Sequence, residues 1–349
     1  MVDFIIGAKN GRTGASVGHA ASAPAVSRVV IDEGSEGQRL DNFLIKLLKG
    51  VPKTHVYRVI RSGEVRINKG RAAADTRLNL GDEVRVPPVR TSDHSAERAD
   101  ASPPPAREFP IVFEDEHLIA VDKPAGVAVH GGSGVSFGVI EQLRQARPGA
   151  KFLELVHRLD KETSGLLLIA KKRSALLALQ EQFRQRETGK TYSALVLGAW
   201  PASKKVIDVP LHKFLSADGE RRVKTVDVDD ADGRRSITLV KVVQAYTAYT
   251  LLDVTIKTGR THQIRVHLLH EGHAIVGDDK YGDFEANRAL ARGVTLPGLR
   301  FDRMFLHARR LKFLHPASGE VIELHSPLPA ECAALLHALS RAMSVASTP

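Results

Sequence analysis

The densest polar stretch of the chain runs His157-Arg158-Leu159-Asp160-Lys161-Glu162-Thr163-Ser164-Gly165, between the apolar runs 153–156 and 166–170. Flanking strands that bury their side chains leave such residues in a short loop at a sheet edge. A carboxylate among cations in that place has two uses. It can close a salt-bridged turn, with Asp160 paired to Arg158 or Lys161 and Gly165 supplying the bend, or it can stay ionised as a base or nucleophile. A second stretch, Thr258-Gly259-Arg260-Thr261-His262-Gln263-Ile264-Arg265-Val266-His267, carries two arginines and two histidines within eight residues and enters a helix from a glycine turn. His262 and His267 lie five positions apart, which does not align them on one helix face, and no cysteine or carboxylate triad is near, so the pattern argues against a metal. An anion site suits it better, because amide groups at a helix start and arginine forks both attract phosphate or carboxylate.

These two stretches need a frame. Runs of strand character lie at 118–121, 153–156, 165–170, 192–197, 237–243 and 250–256, and helical patterns near 137–146, 173–186, 262–270 and 329–342. Strands that often follow one another with no helix between them predict an α+β unit on an extended, largely antiparallel sheet with flanking helices, over residues 109–345. Ahead of it, residues 37–90 read as a small αβ module. Leu40, Phe43, Leu44, Leu47 and Leu48 form a helical stripe, Val51-Pro52 interrupts it, and Val56, Val59 and Ile60 resume it up to Gly63. Residues 65–70 then read as strand and turn, and 81–86 as a closing strand. Residues 1–36, poor in periodicity, read as a flexible tail, and 91–108, with three consecutive prolines, as a linker.

At 349 residues the chain has room for about two domains. Its 43% hydrophobic and 26% charged residues permit a real core and exclude wholesale disorder. The formal charge of +10 points to a polyanionic partner, nucleic acid before anionic membrane. Residues 37–90 hold 12 Lys/Arg against five Asp/Glu, so most of that excess sits in the small module. Lys53, Arg58, Arg61, Arg66, Lys69 and Arg71 gather around its second helix and following turn. A lone cysteine, Cys332, excludes a disulfide scaffold. With no long apolar span and no signal-peptide start, the expectation is a soluble cytoplasmic protein that does not engage membranes.

The small module resembles an S4 RNA-binding domain: Arg39-Leu40-Asp41 opens a helix, followed by Ile60-Arg61-Ser62-Gly63-Glu64-Val65-Arg66-Ile67-Asn68 and Gly81-Asp82. The large unit resembles the RluA group of pseudouridine synthases. The resemblance rests on His157-Arg158-Leu159-Asp160 with Thr163-Ser164-Gly165-Leu166-Leu167; on Gly259 through His267 with Gly277-Asp278 and Tyr281-Gly282; on Asp122-Lys123-Pro124-Ala125-Gly126; on Lys190-Thr191-Tyr192-Ser193-Ala194-Leu195-Val196; and on Leu306-His307-Ala308 with Leu311. The segment His130-Gly131-Gly132-Ser133-Gly134 and the S4-like module place it nearest the branch that acts on large-subunit (23S) rRNA.

That resemblance implies a uridine-to-pseudouridine isomerisation. The base is flipped out, the N1–C1′ bond breaks, the uracil turns and C5 joins C1′. Nothing is oxidised and no water is consumed, so no cofactor or metal is required. Asp160 would be the catalytic carboxylate, either adding to the sugar or abstracting a ribose proton, with Arg265 as its charge partner. Tyr192 would stack on the uracil or move a proton, over Ile264 as an apolar wall. Arg158 would fill the place left by the flipped base, since a guanidinium stacks and binds phosphate at once. His130 and Lys123 are expected to line the same cleft, and Lys53, Arg58, Arg61, Arg66 and Lys69 to grip RNA. The implied partner is 23S rRNA, met by a monomer without a protein partner. A tRNA-directed relative and a non-catalytic S4 assembly factor are the alternatives. A glycosidase would need a second carboxylate about 5–9 Å from the first, and only Glu162 is near in sequence.

Overall fold

The computed structural model describes residues 26–346, apart from 33, 49, 90–103, 133–136 and 217–218. Most of the expected tail, most of the expected linker and Ser133-Gly134 lie outside the described residues. The chain divides into two compact units, Met1–Ala101 and Ser102–Pro349.

In the small unit, α1 (Leu40–Leu47) and α2 (Lys53–Arg61) pack on a sheet of β1 (Ser27–Val30), β2 (Arg66–Ile67), β3 (Gly70–Arg71) and β4 (Glu83–Val86), ordered β1-β4-β2-β3. The helical stripes bury Leu40, Phe43, Leu44, Val56, Val59 and Ile60 against Val65, Leu78, Val84 and Val86, while Leu47, expected in the first stripe, is exposed. Asn68 and Lys69 both have positive φ, which lets a two-residue turn join β2 to β3. β1 corrects the reading of 1–36 as tail. It is short, largely exposed and paired with β4 more than fifty residues on, so no local period announces it.

The large unit is built on one mixed sheet. Its path is β10 (Val206–Asp208), β13 (Ile237–Ala245), β14 (Tyr249–Ile256), β9 (Gly189–Leu197), β15 (Leu306–Leu314), β8 (Ser164–Ala170), β6 (Leu118–Lys123) and β5 (Ile111–Glu114). β16 (Val321–His325) pairs with β15, and β7 (Glu154–Leu155) with β8. The one parallel pairing among these strands is β8 with β15. β8 is buried along its whole length because α3 (Val139–Ala146) helps cover one sheet face and α4 (Arg173–Gln185) the other. That is why it reads as an unbroken apolar run. Gly165, at φ +108, is required here: a Cβ would run into the carbonyl of Ala308 on β15.

Three further helices, α5 (Gln263–His270), α6 (Phe284–Ala291) and α7 (Ala330–Ala346), complete the unit. A separate hairpin, β11 (Leu211–Leu215) and β12 (Arg221–Thr225), is inserted between β10 and β13. Among the described residues no helix is long and apolar enough to cross a membrane.

Candidate active site

The site forms where β8, β9, β14 and β15 meet. The Asp160 loop enters β8, Tyr192 stands on β9, and the 259–265 segment leaves β14 and turns into α5. Together they line a small cavity of about 110 Å³ whose walls include Arg158, Asp160, Tyr192, His262, Ile264 and Arg265. Beyond its mouth, Arg158, Thr261 and His262 also edge a groove of about 1020 Å³ whose far side is the hairpin, with Lys213, Arg221 and Arg222. A pit beside a wide basic groove offers room for one flat ring and, outside it, for a polyanionic chain.

Asp160 is 20% exposed, and neither reading of it as part of a salt-bridged turn is realised. Lys161 pairs with Glu162 at 3.7 Å, and Arg158 is exposed and makes no ion pair with any described residue. One oxygen of Asp160, Oδ2, instead lies 3.8 Å from Arg265 Nη1 and 3.9 Å from His262 Nε2. Arg265 is held from behind. Its Nε and Nη2 donate to the Asp278 carboxylate at 2.7 and 2.6 Å, and Nη2 also to Asp279 at 3.1 Å. Its guanidinium lies over the Tyr281 ring, 5.1 Å from the centroid. Burial opposes the charge on Arg265, yet the Asp278 contacts raise its pKa above the ordinary value.

Tyr192 and Ile264 are buried in the same core cluster and face the cavity. Burial first, and the charge of Asp160 second, push the Tyr192 phenol above its ordinary pKa of 10, so the phenol is neutral at neutral pH. The 258–263 turn is locked by Gln263. Its Oε1 accepts from Thr258 Oγ1 and the Arg260 amide, while its Nε2 donates to Ile237 O and Thr238 Oγ1. Every polar atom of that buried amide is satisfied. His267 points away from the site into a buried contact with Thr238 and Val209.

Two expected cleft residues are elsewhere. Lys123 does not line the cavity; it is fully buried, and its Nζ donates to the carbonyls of Pro124, Val127 and Lys161 at 2.8, 2.8 and 3.0 Å. It fastens the 124–127 loop to the residue after Asp160. Its position at the end of a buried strand turns the side chain inward, where only backbone carbonyls meet it. His130 is exposed, its ring near the neighbouring Gly131 carbonyl, and lines neither the pit nor the groove. The turn around it is closed by Glu141, which accepts from the Gly131 and Gly138 amides.

Sequence reasoning assigns no role to His262, Tyr281 or the hairpin. Tyr281 stands in a motif that carries the resemblance, but its contacts come from residues 19 and 58 positions away. The hairpin's basic residues, Lys213 before Gly219 and Arg221, Arg222 and Lys224 after it, are a usable signal. In the small unit, Lys53, Arg58, Arg61, Arg66 and Lys69 are all exposed on α2 and the β2–β3 hairpin.

Comparison with known proteins gives the family of both units. Residues 117–270 match the RNA pseudouridylate synthase family and residues 38–84 the S4 domain. The ribosomal large subunit pseudouridine synthase C of Escherichia coli (strain K12) is 48% identical over 307 residues, 87% of this chain and 94% of that one. The protein of the same name from Yersinia pestis is 47% identical over 324 residues, 92% of this chain and 98% of its own. Among solved structures, human RNA pseudouridylate synthase domain containing 4 superposes with a TM-score of 0.54 at 28% identity, covering 66% of this chain and 92% of that one. The chain therefore belongs to the RNA pseudouridylate synthase family, with an S4 domain ahead of its synthase domain.

Proposed function

We propose that this protein converts uridines of 23S rRNA to pseudouridine, with Asp160 as the catalytic carboxylate. The observation that carries the reading is the placement of Asp160 on the wall of a one-ring pit, between Arg265 and Tyr192, at the edge of a basic groove. The names of the relatives at 47–48% identity support large-subunit RNA as the substrate. Arg265 Nη1, 3.8 Å from Asp160 Oδ2, attracts the carboxylate and limits its rotation. Tyr192, holding its proton, offers a flat face to the uracil above Ile264 and is not a base in the resting enzyme. Arg158, exposed at the mouth and with no ion pair among the described residues, is placed to enter the stack that the flipped base leaves.

The exposed cations Lys53, Arg58, Arg61, Arg66 and Lys69 of the S4 domain supply a sequence-independent grip on RNA phosphates. We read the protein as a monomer working in the cytoplasm, where ribosomal RNA is made. The test is tritium release from a 23S rRNA transcript carrying [5-³H]uridine, with wild type and Asp160→Asn. Release by wild type alone is expected. Release by both would remove Asp160 from the chemistry, and release from tRNA but not from 23S rRNA would move the substrate.

A further inference from the structure

His262 has an unusual seat. It is the residue before α5 and holds a left-handed backbone, φ 51 and ψ 21, which is uncommon outside glycine and asparagine. Its ring stands at the junction of pit and groove. Nδ1 is 2.8 Å from Tyr281 Oη, and that oxygen already accepts the amide proton of Val223 on the hairpin at 3.0 Å. The phenol proton is therefore directed to His262 Nδ1. Burial first, with Arg265 and Lys280 adding to it, outweighs the carboxylates of Asp160 and Asp278 and keeps the imidazole's pKa below its ordinary value. A neutral ring that accepts at Nδ1 carries its proton on Nε2, the nitrogen 3.9 Å from Asp160 Oδ2. The opposite tautomer would turn a lone pair toward a carboxylate, so both ends of the ring choose the same form. Arg265 Nη1 approaches that same oxygen at 3.8 Å.

We propose that His262 is a positioning residue for the reaction: its Nε2–H, aimed by Tyr281, joins Arg265 in holding Oδ2 of Asp160, so that Oδ1 is the oxygen presented to the ribose. This rests on the reading of Asp160 as the catalytic carboxylate. It also makes the hairpin part of the active centre, because the Val223 amide fixes the phenol that fixes the imidazole.

The test uses the full-length protein and 23S rRNA transcript, measuring single-turnover rate, RNA affinity and melting temperature for His262→Asn, His262→Gln, Tyr281→Phe and the double variant His262→Asn/Tyr281→Phe, with Asp160→Asn as reference. Asparagine suits the left-handed backbone and keeps an acceptor for Tyr281, but is too short to face Asp160. Glutamine suits that backbone less well, yet its amide reaches the place of Nε2. The expected result is a rate loss of about 10- to 100-fold in His262→Asn with RNA affinity within about twofold, and partial recovery in His262→Gln. Tyr281→Phe should fall in the same direction by less, and the double variant should be no slower than His262→Asn. A rate for His262→Asn within about twofold of wild type overturns the proposal. So does a glutamine variant slower than the asparagine one in step with its melting temperature, which is the signature of a structural role alone. An active Asp160→Asn protein would instead overturn the carboxylate assignment, and with it any role exerted through Asp160.

Discussion

Arg265 reaches Asp160 with Nη1, the guanidinium nitrogen that Asp278 and Asp279 do not take. Asp278 engages the other edge as a fork and so sets the plane in which Nη1 points. Asp160 is thus oriented by a residue that is itself oriented by a buried carboxylate with no place on the cavity wall.

Asp278→Asn should leave that buried guanidinium short of a counter-charge and cost about 3–5 kcal/mol, read by urea unfolding. Burial pushes the Asp278 carboxyl up, but the bonds and charge of Arg265 more than offset it and hold the pKa below 3.8. The stability this contributes is present above the ordinary carboxyl range and is lost as pH falls through the lower folded value. The variant should therefore lose stability less steeply than wild type below about pH 4.

Arg158→Ala removes an exposed side chain with no ion pair among the described residues, so melting should shift by no more than about 0.5 kcal/mol in stability. Single-turnover pseudouridine formation should fall by at least about tenfold, and the salt dependence of RNA binding should flatten by about one unit of slope. A lowered melting temperature with unchanged turnover would make Arg158 a structural residue.

Lys123→Met strips three backbone carbonyls of their donor, at about 1–3 kcal/mol for each group left unsatisfied. The expected result is a loss of several kcal/mol, together with slower turnover because Lys161 O is one of the three. Burial pushes Lys123 down to about 7 from its ordinary 10.5, against the pull of Glu162 and Asp160. The unfolded chain then binds the extra proton between those values, so wild-type stability should rise with pH across that window. The methionine variant should lack that rise in a chemical-denaturation series.

His157 stacks on Phe183 and accepts the Leu168 amide, and burial drives its pKa to about 3 from 6.5. Its folded value lies below the unfolded one, so its contribution is intact above about pH 6.5 and shrinks as pH falls toward 3. His157→Gln, followed by circular dichroism over that range, should show a shallower acid transition than wild type.

Changing Lys53, Arg58, Arg61, Arg66 and Lys69 to glutamine should weaken RNA binding at low salt and flatten its salt dependence by about 0.7–0.9 of a unit for each phosphate no longer neutralised. Fluorescence anisotropy across a salt series would show it. A slope unchanged by all five would leave the S4 surface without a role in binding.

Much of the site is readable because its groups sit in short contiguous motifs. Asp160 and Arg158 share one loop, Ile264 and Arg265 open one helix, and Tyr192 lies on a strand that is buried along most of its length. What escapes depends on distance. Lys123 meets a carbonyl 38 residues away, Tyr281 receives an amide 58 residues away, and β1 finds its partner across the whole small unit. Residue type misleads in two places: a lysine and a histidine beside glycines look like cleft residues, yet one is consumed by backbone carbonyls and the other stays at the surface. The α+β class and the antiparallel sheet follow from strand succession; the parallel pairing does not.

That parallel pairing sets a timetable for synthesis. The loop bearing Asp160 is anchored by the first residues of β8, and their neighbour on that edge is β15, with Ser164 bonded to His307 across 143 residues of chain. At about 5–20 residues per second, roughly seven to thirty seconds separate the emergence of the two strands from the ribosome. Through that interval β6 and the Lys123 Nζ–Lys161 O bond hold one side of the Asp160 loop, while the β15 edge at the start of β8 stays open. Ribosome-arrested chains stalled before residue 306 should lose β8 to protease, and chains that expose residues through 314 should keep it.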